Sequence, residues 1–163
     1  MSANSETTIC SFCKAEIKID DDFCPECGSL FIEGIACANH HKVDAIGVCV
    51  VCCEPFCAEC GSFKNDLYFL CGEHSHYEIF EGRVPVYKNE DAGNVISIFE
   101  SLKTKGLHPL IYGLKDPFHR YSEIEYSIYY SPENLNFKSG SEISVFIPAQ
   151  EVLEAEKFIN ELS

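Results

Sequence analysis

The chain has 163 residues, enough for one ordinary domain or for two or three very small ones. Its formal net charge is -14 at pH 7, and residues 1–82 carry 14 acidic side chains against four lysines. Nucleic-acid binding neutralises phosphates with clustered lysine and arginine, so this composition argues against nucleic acid as a partner.

All 11 cysteines lie between positions 10 and 71. Their number is odd, and residues 1–11 have neither the basic start nor the apolar core of a secretory signal. A membrane-spanning helix needs about 18 consecutive apolar residues, and the sequence contains no such run. We therefore expect a cytoplasmic protein without a membrane segment, in whose reducing surroundings paired cysteines are more often metal ligands or redox centres than disulfides.

The distribution of cysteine also divides the chain into parts. Four cysteines stand apart near the start, the other seven follow closely spaced, and the remainder is an ordinary amphipathic mixture. We therefore predict two small zinc-stabilised modules, at residues 1–32 and 33–80, followed by an α+β domain at residues 81–163.

The first module contains two C-x-x-C pairs separated by ten residues, Cys10 with Cys13 and Cys24 with Cys27. Each pair forms a tight turn that aims two sulfurs at one point, and Gly28 relieves the backbone where the second turn tightens. The spacing predicts one tetrahedral metal site of four thiolates. Thioredoxin-like redox motifs are disfavoured, because they stand singly at the start of a helix in a βαβ unit.

Residues 9–31 resemble the short form of the zinc ribbon, in which two knuckles are joined by a hairpin. The resemblance implies a structural zinc ion. Rubredoxin-like proteins bind iron with the same four thiolates, so ligand type alone leaves iron open as the alternative metal.

Four further pairs have the same spacing, and the first and last of them end in histidine instead of cysteine. Eight ligands predict two more ions, so we expect three Zn²⁺ ions per chain. Spacing alone leaves open whether neighbouring or alternating pairs share an ion. The pairs are Cys37 with His40, Cys49 with Cys52, Cys57 with Cys60, and Cys71 with His74.

The order of these pairs resembles the B-box zinc finger over residues 37–74, although many B-boxes have histidine where the closing pair here begins with cysteine. RING fingers have a different order and spacing of pairs, so ubiquitin-ligase activity is not expected. The B-box resemblance implies interleaved pairing and two Cys3His sites. In that pairing Cys37 and His40 share an ion with Cys57 and Cys60, and Cys49 and Cys52 share one with Cys71 and His74.

One cysteine and two histidines are left over from this assignment. Cys53 follows Cys52 directly and has no partner at the knuckle spacing, and we expect it to be a small buried apolar residue rather than a ligand. His41 and His76 neighbour ligand histidines, and we interpret both as exposed bystanders because the C-x2-H spacing favours His40 and His74.

The part of the chain after the cysteines predicts the element order βαβββα. The first helix is capped by Asn89 and ended by Gly106, and Pro148 opens the second. The predicted strands cover residues 83–88, 107–112, 123–130 and 143–147. Apolar residues recur at helical spacing and should pack on the sheet: Ala92, Ile96, Phe99 and Leu102 in the first helix, and Val152, Ala155, Phe158, Ile159 and Leu162 in the second.

One largely antiparallel sheet with two helices on one face would bury the apolar residues of both helices. This arrangement predicts an α+β fold of the ferredoxin-like type. Residues 83–162 resemble a small family of prokaryotic domains to which a signal-transducing role is ascribed. The resemblance lies in the opening strand, in the helix that ends at Lys105 and Gly106, and in Val-Phe-Ile-Pro leading into the last helix. It implies the ferredoxin-like plan of nitrogen-regulatory PII proteins and brings no catalytic residues.

Twelve candidate ligands divide evenly into three filled tetrahedra, whereas a catalytic zinc keeps one position open. We therefore expect a non-enzymatic zinc-binding adaptor or signalling protein that binds an unidentified protein partner or a second copy of itself. The alternative is a zinc- or redox-responsive regulator with a reactive knuckle thiol. Only Asp116, His119 and Glu123 would suit an enzyme, and we interpret them as solvated loop residues. His108 is interpreted as a strand residue and not as a ligand.

Overall fold

A computed structural model describes residues 6–114, 121–123 and 142–162 of the protein. It divides into two compact units, residues 1–77 and residues 78–163. Within the described ranges, no helix has the length and apolar character needed to cross a membrane. Asp116, His119 and the part of the predicted third strand at residues 124–130 lie outside the described residues.

The N-terminal unit contains three separate antiparallel strand pairs of two to four residues per strand. A single two-stranded hairpin is at best marginally stable in water, so these pairs need support from elsewhere in the unit. The cysteine pairs lie between these strands or at strand ends in the sequence. The pairs are β1 (Thr7–Ile9) with β2 (Glu16–Lys18), β3 (Gly47–Val48) with β4 (Pro55–Phe56), and β5 (Gly61–Lys64) with β6 (Tyr68–Cys71).

Phe69 in β6 is the large side chain at the centre of this unit, where it is fully buried. A Cβ atom added to Gly47 would lie 2.5 Å from its ring, so only glycine in β3 lets the two strands approach so closely. Phe63 packs edge-on against the same ring, with centroids 5.1 Å apart, and Phe12 of the first module contacts Phe63 at 5.4 Å.

Backbone hydrogen bonds join the first cysteine module to the second. The N–H of Phe69 donates to the carbonyl of Cys27 at 2.9 Å, and the N–H of Val48 donates to the carbonyl of Gly28 at 2.8 Å. Val50 in turn donates to the carbonyl of Phe69 at 3.1 Å. The second knuckle of the first module is therefore an edge to which the β3 and β6 segments bond directly.

Gly28 is essential to this junction for two reasons. Its φ is +80°, a left-handed backbone conformation that L side chains rarely adopt, and a Cβ there would lie 2.0 Å from the carbonyl oxygen of Val48. Gly34 offers a comparison in the same unit, because its φ is +78° and nothing lies within 4 Å of its added Cβ.

We predict that Gly28→Ala destabilises the N-terminal unit much more than Gly34→Ala. Both substitutions incur the left-handed penalty of about 1–2 kcal/mol, but only the first also pushes a methyl group into the Val48 carbonyl. Chemical denaturation of the metal-loaded variants, followed by Tyr and Phe signals of this unit, measures the difference. Equal losses in the free energy of unfolding would contradict the close approach.

The C-terminal unit is a mixed α/β arrangement of four strands and two α-helices among the described residues. A single 3-10 turn, Ala149–Glu151, precedes the second helix. The elements are β7 (Arg83–Asn89), α1 (Ala92–Thr104), β8 (Leu110–Leu114), β9 (Tyr121–Glu123), β10 (Ile143–Pro148) and α2 (Val152–Leu162).

The strands form one sheet in the order β7-β10-β8-β9, and every neighbouring pair is antiparallel. Since β10 is antiparallel to both β7 and β8, those two strands run parallel to each other with β10 inserted between them. The β7-α1-β8 segment is thus a split βαβ unit. A bulge on β7 opposite Val145 and Phe146 interrupts its pairing with β10.

Both helices contact β7, β10 and each other, so they lie on the same face of the sheet. α1 buries Val95, Phe99 and Leu102, and α2 buries Val152 and Ala155. The predicted stripes are thus correct in part: Val95 is buried where Ile96 was expected, and Leu162, the last residue of α2, is 52 % exposed. Strand β10 is buried on both faces.

Strand β9 begins at Tyr121, two residues before its predicted start. Two further boundaries differ from the prediction because side chains form hydrogen bonds with the local backbone. Asp91 caps α1 by accepting from Asn94 N–H at 3.1 Å, whereas Asn89, the predicted cap, accepts from Asp91 N–H at 2.8 Å. β8 begins at Leu110 and not at position 107. Its predicted start is diverted, because the carboxylate of Glu151 accepts from His108 N–H at 2.8 Å and lies 2.6 Å from His108 Nδ1.

Candidate metal centres

Among the described residues, three groups of cysteine and histidine side chains are positioned to hold metal ions, and all three lie in the N-terminal unit. Within each group the four ligand atoms lie within 4.8 Å of one another. We call them sites 1, 2 and 3 in chain order. Site 1 comprises Cys10, Cys13, Cys24 and Cys27; site 2 comprises Cys37, His40, Cys57 and Cys60; site 3 comprises Cys49, Cys52, Cys71 and His74.

Site 1 has the dimensions of a tetrahedral metal–thiolate centre. Cys10 Sγ lies 3.9 Å from Cys27 Sγ, and Cys13 Sγ lies 3.6 Å from Cys24 Sγ. Four sulfurs at about 2.3 Å from a central zinc ion would be about 3.8 Å apart along each tetrahedral edge. These two separations bracket that edge length, and all four sulfurs lie within 4.8 Å of one another, so the group is close to the size that one tetrahedral ion requires.

Each knuckle of site 1 closes through the same backbone pattern. Lys14 N–H donates to the carbonyl of Cys10 at 2.9 Å, and Gly28 N–H donates to the carbonyl of Cys24 at 2.8 Å. The donor is in each case the residue after the second cysteine, and both donors have positive φ, +67° and +80°. This local turn explains why the spacing alone brings two sulfurs of a pair together.

Site 2 presents Nδ1 of its histidine to the sulfurs. His40 Nδ1 lies 3.3 Å from Cys57 Sγ and 3.4 Å from Cys60 Sγ, near the separation of about 3.6 Å expected between nitrogen and sulfur on one tetrahedral zinc. Asn39 Nδ2 donates to Cys60 Sγ at 3.5 Å, a contact to a ligand atom of the kind that orients metal ligands. The His40 side chain is exposed, so site 2 lies at the surface of the unit.

Site 3 is built from the two knuckles that flank the buried Phe69. His74 Nδ1 lies 3.6 Å from Cys49 Sγ and 3.2 Å from Cys71 Sγ, so this histidine also turns Nδ1 toward the sulfurs. The segment after it is held in place by Lys64, whose Nζ donates to the carbonyl of Tyr77 at 2.7 Å. In sites 2 and 3 alike, the histidine faces the cysteine sulfurs with its Nδ1 atom.

The electrostatics of the thiols favour a bound cation. Burial alone would raise the pKa of Cys10, but backbone N–H groups including that of Cys13 point at its sulfur, and the pKa is lowered to about 7. Burial raises the pKa of Cys24 far above its ordinary value and that of Cys52 to about 12. Buried thiols of this kind ionise only when a positive charge compensates the thiolate, and a coordinated metal ion supplies that charge.

The groups combine alternating, not neighbouring, knuckles of the second module. The first pair of residues 37–74 meets the third, and the second meets the fourth. This is the interleaved arrangement that the B-box resemblance implies. Spacing could not have supplied it, because the choice of partner depends on how β3, β4, β5 and β6 fold back on each other.

Cys53 is exposed, so the expectation of a buried apolar residue is wrong. Its φ is +59°, and its N–H donates to the carbonyl of Cys49 at 2.8 Å, so it occupies the same knuckle-closing position as Lys14 and Gly28. Partial burial and the negative charges of Cys49 and Glu54 raise its pKa. The sequence does hold this signal, since the residue after each C-x-x-C pair donates its N–H to the carbonyl of the first cysteine, with positive φ in three of the four pairs.

The other histidines considered in the sequence belong to none of the three groups. His41 and His76 are exposed and belong to none of them, and His76 Nδ1 lies 2.9 Å from the carbonyl of Glu73. His108 is exposed and pairs with Glu151 in the C-terminal unit. Sequence reasoning missed Asn39, whose position inside the Cys37-x2-His40 knuckle is the one signal that could have indicated its contact with Cys60.

Comparison of the chain with protein-family models, with curated proteins and with solved structures gave no match. The site geometry therefore carries the functional argument.

We predict that the adjacent residues Cys52 and Cys53 differ completely in their effect on metal content. Cys52→Ser removes one ligand of site 3 and should lower the bound zinc from three ions per chain to two, whereas Cys53→Ser should leave three. Elemental analysis of protein purified without added metal measures both. Loss of an ion in the Cys53→Ser variant would show that Cys53 is a metal ligand and would contradict its exclusion from site 3.

Sites 1 and 3 should be coupled, because two backbone hydrogen bonds run from the site 1 knuckle to the segments that carry site 3. Cys24→Ser opens that knuckle, and the loss of two bonds worth about 1 kcal/mol each should weaken zinc binding at site 3 by at least about tenfold. Chelator titration with NMR detection of the His40 and His74 rings reports sites 2 and 3 separately. We expect the His74 signal to change at a lower chelator concentration than in the parent chain.

The matched control for this coupling is Asn39→Ala, which removes a contact to a site 2 sulfur. It should weaken zinc retention at His40 and leave His74 unchanged. If Cys24→Ser shifts the His40 and His74 transitions equally, the effect is general unfolding and not coupling between sites 1 and 3.

Proposed function

We propose that the chain is a non-catalytic zinc protein that acts as an adaptor or signalling module through protein–protein interaction. The observation that carries this proposal is the arrangement of twelve cysteine and histidine ligands into three groups of four. When all four positions of a tetrahedral ion are protein ligands, the ion cross-links the chain and offers no open position to a substrate.

Zinc is the metal that the donor sets support best. Sites 2 and 3 each combine three sulfurs with one histidine nitrogen, a common structural zinc set, and site 1 has four sulfurs. Rubredoxin-like iron would suit only the four-sulfur group. We therefore propose one kind of metal in all three sites, with Zn²⁺ supplying fixed positive charge and tetrahedral geometry.

We also propose that the N-terminal unit joins a short zinc ribbon to a B-box-type double site. The interleaved grouping of sites 2 and 3 supports the proposal of a B-box-type double site. For the C-terminal unit we propose a ferredoxin-like fold and a signal-transducing role, on the basis of its split βαβ unit with β10 inserted. Fold likeness is only an analogy for function, so the zinc-stabilised unit carries the main argument.

The charge of the molecule favours a protein over a nucleic acid as the partner. Zinc leaves a four-thiolate site at about -2 and a Cys3His site at about -1, so metal loading does not reverse the acidity of residues 1–82. The free thiol ligands also require a reducing compartment, and we propose a cytoplasmic location.

We predict that partner binding depends on the zinc-stabilised unit. Affinity capture with cross-linking, using the intact zinc-loaded chain as bait, should enrich a protein about tenfold or more over the Cys71→Ser chain, which lacks a site 3 ligand. The Cys53→Ser chain is the control and should capture the same protein as the parent. Equal capture by all three chains would contradict a role for the metal centres, and iron in the purified protein would contradict the zinc assignment.

A second candidate function is a redox-responsive regulator, which the exposed thiol of Cys53 beside site 3 favours. Its raised pKa opposes this role, because the thiolate is the reactive form. Mild peroxide distinguishes the two functions. Release of zinc from the parent chain but not from Cys53→Ser would support regulation, and retention of all zinc in both would eliminate it.

A further inference from the structure

The exposed apolar surface of the described residues is concentrated in the N-terminal unit. Nine large apolar side chains of the described residues are exposed, and seven of them belong to that unit. Single exposed apolar residues need no explanation, but a local group of them marks an interaction surface. The seven are Ile9, Phe12, Ile19, Phe31, Ile32, Val43 and Ile46.

Three of these residues belong to backbone segments that lie side by side at the end of the first module. Phe31 N–H donates to the carbonyl of Asp22 at 2.9 Å, and an antiparallel bridge joins Phe23 to Leu30. These contacts place Phe31 and Ile32 beside the turn that follows Ile19. Ile19, Phe31 and Ile32 are 59 %, 40 % and 44 % exposed.

Four acidic residues directly follow these apolar residues in the sequence. Asp20, Asp21 and Asp22 fill the turn after Ile19, and Glu33 follows Ile32 directly. Asp21 accepts from the backbone N–H of Lys18 at 2.9 Å, and none of the four carboxylates forms an ion pair with a cation of the described residues. We call this surface, comprising Ile19–Asp22 and Phe31–Glu33 by position, the ribbon tip.

We infer that the ribbon tip binds a basic amphipathic segment of another protein, with lysine or arginine on the carboxylates and apolar side chains on Ile19, Phe31 and Ile32. The inference rests on the proposed adaptor function and specifies its partner. Charge complementarity selects this occupant: four carboxylates without paired cations flank the apolar group, and site 1 adds about -2 when loaded with zinc.

A second copy of this chain is a poorer occupant for the same reason. Each chain carries a formal net charge of -14, so two ribbon tips meeting face to face would place carboxylates of both copies together. A basic segment instead relieves that charge, and its apolar side chains remove the exposed isoleucine and phenylalanine surface from water.

The test uses the intact zinc-loaded chain, labelled with 15N, and a short synthetic amphipathic peptide of leucine and lysine at physiological ionic strength. We expect amide shifts centred on residues 19–22 and 31–33. Two variants, Asp20→Asn/Asp21→Asn/Asp22→Asn and Phe31→Ser/Ile32→Ser, should each weaken binding by about tenfold, because electrostatic and apolar contacts both contribute. Neither variant touches a metal ligand, and unchanged zinc content verifies that both remain folded.

A charge-matched control separates the local surface from the overall charge of the protein. Glu90→Gln/Glu154→Gln/Glu161→Gln removes three exposed carboxylates of the C-terminal unit and should change the affinity by less than about twofold. Peptides with leucine replaced by serine, or lysine by glutamine, should bind more weakly than the parent peptide.

Several results would overturn the inference: no binding of the peptide, shifts centred elsewhere, equal weakening in the charge-matched control, or concentration-dependent dimerisation through residues 19–22 and 31–33. If the peptide fails while affinity capture still enriches a zinc-dependent partner, the adaptor function stands and only the assignment to the ribbon tip is lost. If capture fails as well, both proposals fall.

Discussion

Much of the buried interior of the N-terminal unit is cysteine sulfur, and the compensation of its charge is the constraint on which the rest of that unit depends. Seven of the cysteines are buried, while the strands between them have only two to four residues. Burial raises the pKa of Cys24 and Cys52, so these two thiols resist ionisation until a cation joins them. In such a unit the free energy of metal binding is largely the free energy of folding.

The three metal groups are parts of one structure because the backbone connects them. Phe69 lies at the junction: its N–H bonds to Cys27 of site 1, its carbonyl accepts from Val50 between two site 3 ligands, and its ring fills the centre. Gly28 permits this approach at a distance that no other residue would allow. The rigid arrangement keeps exposed loops such as the ribbon tip in fixed positions, which reduces the entropy that a partner must remove on binding.

Features that depend on interactions between residues close in sequence could be predicted, and features that depend on distant residues could not. All twelve grouped residues could be proposed from spacing, because a C-x-x-C or C-x2-H turn is local, and the helix over residues 92–104 follows from local periodicity. The pairing of knuckles, the insertion of β10 between β7 and β8, and the bonding of Cys27 to Phe69 depend on contacts between distant residues, which no local pattern encodes. Cys53 was misjudged because unpaired cysteines are commonly buried, whereas here it closes a knuckle with φ +59° and is exposed.

X-ray absorption spectroscopy at the zinc edge, combined with metal analysis of the same sample, tests the central claim most directly. The account predicts three zinc ions per chain that together have ten sulfur and two nitrogen neighbours, with no oxygen from water. Fewer than three ions, or an oxygen neighbour that reveals an open coordination position, would contradict the assignment of three closed structural centres.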